Sequence, residues 1–431
     1  MTRRELARLI GGILVAGTAA SDGRAESRES NGDPAEVWRQ SFPALTSSPR
    51  TYLDSAATTQ RPAAVIAALT QFYARDNANP GKTQHRSARI AYEHYEGARQ
   101  AVATWLNASS AEEIVWVRGT TEGINLVASA WGPTGLRPGD RVLLTVAEHA
   151  SNLLPWRLAA ERAGARVDLV AVDDVGRVDL ADLEHKLNAH ARLLAFSHVS
   201  NVAGYVNPAA EICSRARRAG TLTLIDAAQS APHIALDVRA LGCDFLAFSS
   251  HKMLGPMGVG VLWARRELLE AMPPYQAGSN MAHAVDRDSG EIEHAAYKFG
   301  AGTPYAPGPI GLAAAIMFID SLGRDAIAAH ERALTNYALR RLREVPRLRL
   351  LGPQVPENRI PVFSFEMTGL AAEDVQRRLD AQDIAIRAGD LAALPLLKHF
   401  GVQSAARASC YLYTTYADID RLVTALGEMK S

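Results

Sequence analysis

From residue 51 onward, short continuous apolar runs alternate with stretches of helical periodicity. Residues 114–117, 141–146, 167–172, 192–198, 221–225, 245–248 and 259–263 read as strands. Unbroken apolar runs of this length, separated by helices, predict a mostly parallel sheet covered on both faces. The predicted class is therefore α/β. Polar residues gather just after several of these runs: Arg118 to Gly123, Glu148-His149, Ser200-Asn201, Asp226 to Gln229, and Ser249 to Lys252. Open α/β sheets bind their ligands beyond the carboxyl ends of the strands.

The pattern changes near Gly302-Thr303-Pro304-Tyr305-Ala306-Pro307-Gly308. Helices are expected over 310–322 and 325–343, then strands at 360–365, 384–387 and 408–413, with helices at 372–382 and from 417. This divides the chain into a large domain, 51–305, and a smaller α+β domain, 306–431. Upstream, residues 26–50 are polar with prolines and read as a tether.

Residues 1–25 have the charged, apolar, small-residue order of a secretory signal. Arg3-Arg4 and Arg8 precede an apolar run at 9–17, and small residues lead to Ala25, the expected cleavage point. The run falls short of the roughly 20 residues that span a bilayer, so no stable membrane anchor is expected. The paired arginines predict passage through the twin-arginine translocase and a periplasmic location.

Lys plus Arg and Asp plus Glu are each 46, and 48% of residues are apolar. That balance fits a large buried core and argues against a nucleic-acid binder, which needs a basic face. The three cysteines, Cys213, Cys243 and Cys410, form no Cys-x-x-Cys pair and no zinc spacing. No metal site is expected.

The chemistry lies in the strand-end residues. Lys252 follows a buried strand, where an amine sheds its proton more easily and suits Schiff-base formation. Asp226 follows another strand, where a carboxylate could face the pyridine nitrogen of pyridoxal phosphate (PLP). Thr120 and Thr121 open a helix after Gly119, an arrangement that holds a phosphate. His149 could stack on a flat ring. Taken alone, the threonines and Asp226 read as helix caps, Lys252 more often as a solvated loop residue and His149 better as a core histidine. Together, each after a strand of one sheet, they assemble a PLP pocket.

These residues carry a resemblance to the class V aminotransferase family, and within it to the SUF-type cysteine desulfurases and selenocysteine lyases. The matching stretches include Tyr52 to Ala57, Arg118 to Asn125, Glu148-His149, His198 to Asn201, Asp226 to Gln229, Ser249 to Lys252, Gly300 to Pro304 and Arg407 to Ser409. The resemblance implies a PLP enzyme of fold type I, working as a homodimer. It implies that Lys252 holds the cofactor and moves protons at Cα, that Asp226 pairs with the pyridine nitrogen and that His149 stacks on the ring. Asn201 and Gln229 would lie near the ring oxygen. Thr120, Thr121, Ser249 and His251 would take the phosphate, with Thr303 from a second subunit. Arg407 would bind the substrate carboxylate, with Arg387 as a further candidate substrate contact. His85, which matches a family active-site position, and Arg86 are basic residues that could meet a substrate carboxylate near the entrance, or equally be solvated loop residues.

The chain departs from that pattern at one position. The resemblance places the sulfur-attacking cysteine five residues after Arg387, and residue 392 is alanine. An alanine cannot form a persulfide. With the export signal, this resembles an exported class V enzyme that tailors the glutamate unit of pyoverdine-type siderophores. The expected activity is therefore an aminotransferase- or decarboxylase-type reaction at an amino-bearing carbon. The alternative is a cysteine or selenocysteine lyase acting without an enzyme thiol.

Overall fold

The computed structural model describes residues 32–48, 50–81, 84–189 and 191–430. The expected signal at 1–25 lies outside the described residues. Among the described residues a seven-stranded sheet forms from β1 (Ile114–Val117), β2 (Arg141–Thr145), β3 (Arg166–Val170), β4 (Ala191–Ser197), β5 (Leu222–Asp226), β6 (Phe245–Ser249) and β7 (Gly260–Ala264). Its order is β1-β7-β6-β5-β4-β2-β3. All pairs are parallel except those made by β7, which runs antiparallel to β1 and β6. The central strands are buried on both faces. That double burial is what an unbroken apolar run encodes.

Two apolar cores sandwich this sheet. One contains Phe196, Ile225, Phe248 and Leu312, and the other Leu144, Trp156, Ala195 and Leu224. A second sheet is antiparallel: β8 (Leu348–Leu351), β9 (Val362–Met367), β10 (Arg387–Gly389) and β11 (Ala405–Ser409), in the order β8-β9-β11-β10. It has its own core, including Phe363, Phe365, Leu379 and Leu422. No helix among the described residues is long and apolar enough to cross a membrane.

Three expectations need correction. The tether reading of 26–50 fails from residue 33 onward. Asp33 caps the helix Pro34–Arg39, and Pro34 suits its first turn. Phe42 is fully buried, and Arg39 pairs with Asp418 at 2.7 Å. The domain seam also moves, because the helix Pro307–Leu322 buries Leu312, Ala315 and Ile319 in the large core. The packing of the small unit therefore begins with the helix Arg324–Arg343 rather than at residue 306. Finally, the strand expected at 408–413 is Ala405–Ser409. Small side chains, Ala405, Ala406 and Ala408, fill the covered strand, and the bulky Tyr411-Leu412-Tyr413 run packs beyond it in the large core.

Candidate active site

The carboxyl ends of four neighbouring strands build the site. Parallel register places Ser197 of β4 beside Asp226 of β5, and Asp226 beside Ala247 of β6. β6 ends at Ser249 and passes into the short 3₁₀ turn Ser250–Lys252. β2 leads to Glu148 and to His149, which caps the helix Ala150–Ala163 by accepting the Ser151 N–H at Nδ1. The helix Thr120–Ala130 starts opposite Ser249. The Thr120 N–H donates to Ser249 Oγ at 2.8 Å, and the two hydroxyls lie 2.7 Å apart.

Gly119 allows this approach, because a Cβ there would sit 3.1 Å from Ser249 Oγ. A Cβ on Gly260 would come within 2.6 Å of Gly119 Cα. These glycines let the helix start lie directly over the strand ends.

A cavity of about 470 Å³ opens among these ends. Thr120, Thr121, His149, Asn201, Asp226, Gln229, Ser249, His251, Lys252, Arg387 and Arg407 all line it. Burial pushes the Lys252 amine down from 10.5 to about 8, with Asp226 opposing the fall and Arg407 adding to it. An amine so placed has a substantial neutral fraction near pH 8 and is available as a nucleophile. Burial holds the Asp226 carboxyl above its usual range, against the Ala228 N–H and the Lys252 charge. Burial also lowers His149 and His251 to about 4, so both rings are neutral at ordinary pH. Arg407 is 4% exposed and is lowered to about 10, again chiefly by burial.

The residues fit PLP. Gln229 Oε1, His251 Nδ1 and Arg407 Nε are buried without a hydrogen-bond partner among the described residues. Buried polar groups left open around a cavity are matched by a polar ligand.

Some expected residues stand elsewhere. Asn201 lines the cavity, but its Nδ2 donates to Leu391 O at 2.8 Å, so that donor is committed to the loop. Thr303 is exposed and does not line this cavity; it lines another cleft, beside Tyr297 and Tyr305. His85 caps the helix Arg86–Trp105, and both His85 and Arg86 are exposed and outside the cavity.

Ser197 and Asp390 were not foreseen among the lining residues. Ser197 is the last residue of β4, so the strand-end rule applied to that run could have found it. Asp390 lies on a loop and gives no such signal.

Ala392 faces the cavity, and no cysteine lines it. Leu391 and Ala392 both take left-handed φ, +50° and +52°. Their carbonyls are pinned by Asn201 and by the Ala150 N–H. All three cysteines are buried. Burial pushes Cys213 up to about 12 and raises Cys243 and Cys410 well above the ordinary thiol range. None is a ready thiolate.

Residues 51–422 match the family described as aminotransferase class-V. A probable cysteine desulfurase of Streptomyces coelicolor is 43% identical over 384 residues, covering 88% of this chain and 92% of the relative. The apo structure of a cysteine desulfurase from Thermococcus onnurineus is 35% identical with a TM-score of 0.88, covering 91% of this chain and 97% of that one. A mutant of C-DES, solved with glycine covalently linked to its PLP cofactor, is 25% identical with a TM-score of 0.80, covering 91% and 99%. The fold is the PLP type I fold that the sequence predicted. The expectation of an aminotransferase- or decarboxylase-type reaction on a siderophore unit is overturned, because relatives 42–44% identical over nine-tenths of the chain are named cysteine desulfurases or probable cysteine desulfurases.

Proposed function

The chain belongs to the class-V aminotransferase family with PLP as its cofactor, and from that premise we propose that it is a cysteine or selenocysteine lyase that cleaves its substrate without an enzyme thiol. One observation carries this reading: a lysine, a carboxylate and an arginine surround the cavity, while the position expected to hold a thiol is Ala392.

When bound, PLP supplies an electron sink for the pair released at the substrate Cα. Lys252, Asp226 and Gln229 would hold its ring, with His149 stacked on it, while Thr120, Thr121, Ser249 and His251 would take its phosphate. Arg407 binds the substrate α-carboxylate through its guanidinium fork. Lys252 removes the proton from Cα. Cleavage of the Cβ–S bond then sends the electron pair out with sulfur as hydrosulfide. Water completes the balance: cysteine plus water gives pyruvate, ammonia and hydrogen sulfide. A reaction that leaves alanine would instead need a nucleophile to accept zero-valent sulfur, and no cysteine thiol lines this cavity.

The desulfurase relatives support a sulfur amino acid as substrate. Thr303, His85 and Arg86, exposed and outside the cavity, are proposed to reach the site of a second copy in a homodimer. Residues 1–25 are proposed as a twin-arginine export signal.

The test is turnover of L-cysteine by the PLP-loaded protein with no added thiol. Sulfide and pyruvate are expected in equal amounts. Alanine as the product, or sulfide only when a thiol is supplied, would overturn the reading.

A further inference from the structure

Two arginines of the site face each other across a strand pair. β10 and β11 are antiparallel, and their register sets Arg387 directly opposite Arg407. Like charges directly opposite destabilise such a pair. A third segment relieves this one. Thr51–Tyr52 pairs in parallel with Ile384–Ala385, and the chain then runs alongside β11, where the Ser409 N–H donates to Leu53 O and the Ser55 N–H to Ser409 O. Asp54, on this segment, is 9% exposed. Its carboxylate takes Arg387 Nη2 at 2.6 Å and Arg387 Nε at 3.4 Å. Its Oδ1 also lies 3.5 Å from Arg407 Nη2.

Two guanidiniums and one carboxylate leave this three-residue cluster with a single net positive charge. Arg407 is buried, with Nη1 held by Asn201 O at 3.1 Å and Nε without a hydrogen-bond partner among the described residues. Arg387 is half-exposed and spends its fork on Asp54. A buried cation short of one hydrogen-bond acceptor is completed by one anion.

We propose that Asp54 is a positioning residue that lets the two facing arginines coexist, and that it holds Arg407 so that the site accepts one substrate carboxylate. This rests on the reading that the cavity binds an amino acid. It does not depend on carbon–sulfur cleavage.

The test is isothermal titration of the PLP-loaded wild type and of Asp54→Asn with two probes, L-alanine and ethylamine. L-Alanine carries the carboxylate but no sulfur, and ethylamine lacks the carboxylate. In Asp54→Asn, Arg407 loses the carboxylate that aligns its fork, so L-alanine affinity is expected to fall at least about tenfold, as for loss of one charged hydrogen bond from Arg407 to the substrate carboxylate, while ethylamine stays within about twofold. Asp54→Glu, which keeps the charge, is expected to retain most of the L-alanine affinity and serves if the asparagine variant does not fold. An equal loss of both probes would assign Asp54 a purely structural role and overturn the proposal, as would unchanged or tighter L-alanine binding. Absence of L-alanine binding in the wild type would instead count against the amino-acid cavity itself.

Discussion

Glu148 offers a prediction whose size can be worked out. It is fully buried between β2 and β4, next to the ring-stacking candidate His149. One oxygen takes the Thr145 hydroxyl at 2.5 Å and the Ser197 N–H at 3.1 Å. The other takes the Ser197 hydroxyl and the Asn152 amide, each at 2.7 Å. Four bonds do not offset the loss of water, and burial raises the carboxyl from 4.5 to about 7. At 1.36 kcal/mol per pH unit, that rise corresponds to roughly 3 kcal/mol.

The folded state holds this proton more tightly than the unfolded chain. The stabilisation is therefore complete below pH 4.5 and is lost as pH rises through about 7. Glu148→Gln keeps the shape and removes the titration. It carries a pH-independent cost of about 1–3 kcal/mol, because its amide group meets the Asn152 donor. Urea unfolding of both proteins from pH 5 to pH 8 reads the difference. The wild-type advantage should shrink across that range by about 2.5 kcal/mol. A difference that stays flat with pH, or grows, would show that Glu148 is ionised throughout, and burial would then not govern this site as argued.

Two further outcomes follow from the geometry. Lys252→Ala should lose covalent PLP and at least about a thousandfold in turnover. Borohydride reduction and peptide mapping should find a pyridoxyl group on the Lys252 peptide of the wild type and none in the variant. Phe42→Ala removes a ring whose centroid lies 4.8 Å from that of Tyr413 and 5.8 Å from that of Phe318. It should cost about 3–5 kcal/mol in urea unfolding, whereas a mere tether at this position predicts no change.

What was legible in the sequence is what local pattern encodes. Buried parallel strands are apolar on both faces, so 221–225 and 245–248 stand out, and with them the polar residues that follow, Asp226 and Lys252 included. What was hidden depends on partners far along the chain. Asp33 accepts from the Tyr416 N–H, and Arg39 reaches Asp418, so the folded N-terminal segment looks like a polar linker when read alone. Asp54 lay within a recognised stretch, yet its tie to Arg387 spans more than 300 residues. Asn201 was expected at the ring oxygen, and its bond to Leu391 depends on the left-handed turn at 391–392, which no residue type there announces.

The proposed reaction breaks a carbon–sulfur bond in this cavity with no protein thiol taking part. Intact-mass spectrometry of the PLP-loaded protein, sampled during turnover of L-cysteine and paired with thiol labelling, addresses it directly. Sulfide is expected in many-fold excess over protein while Cys213, Cys243 and Cys410 stay unmodified. A persulfide sulfur on any of the three, appearing and discharging at the rate of turnover, would contradict it.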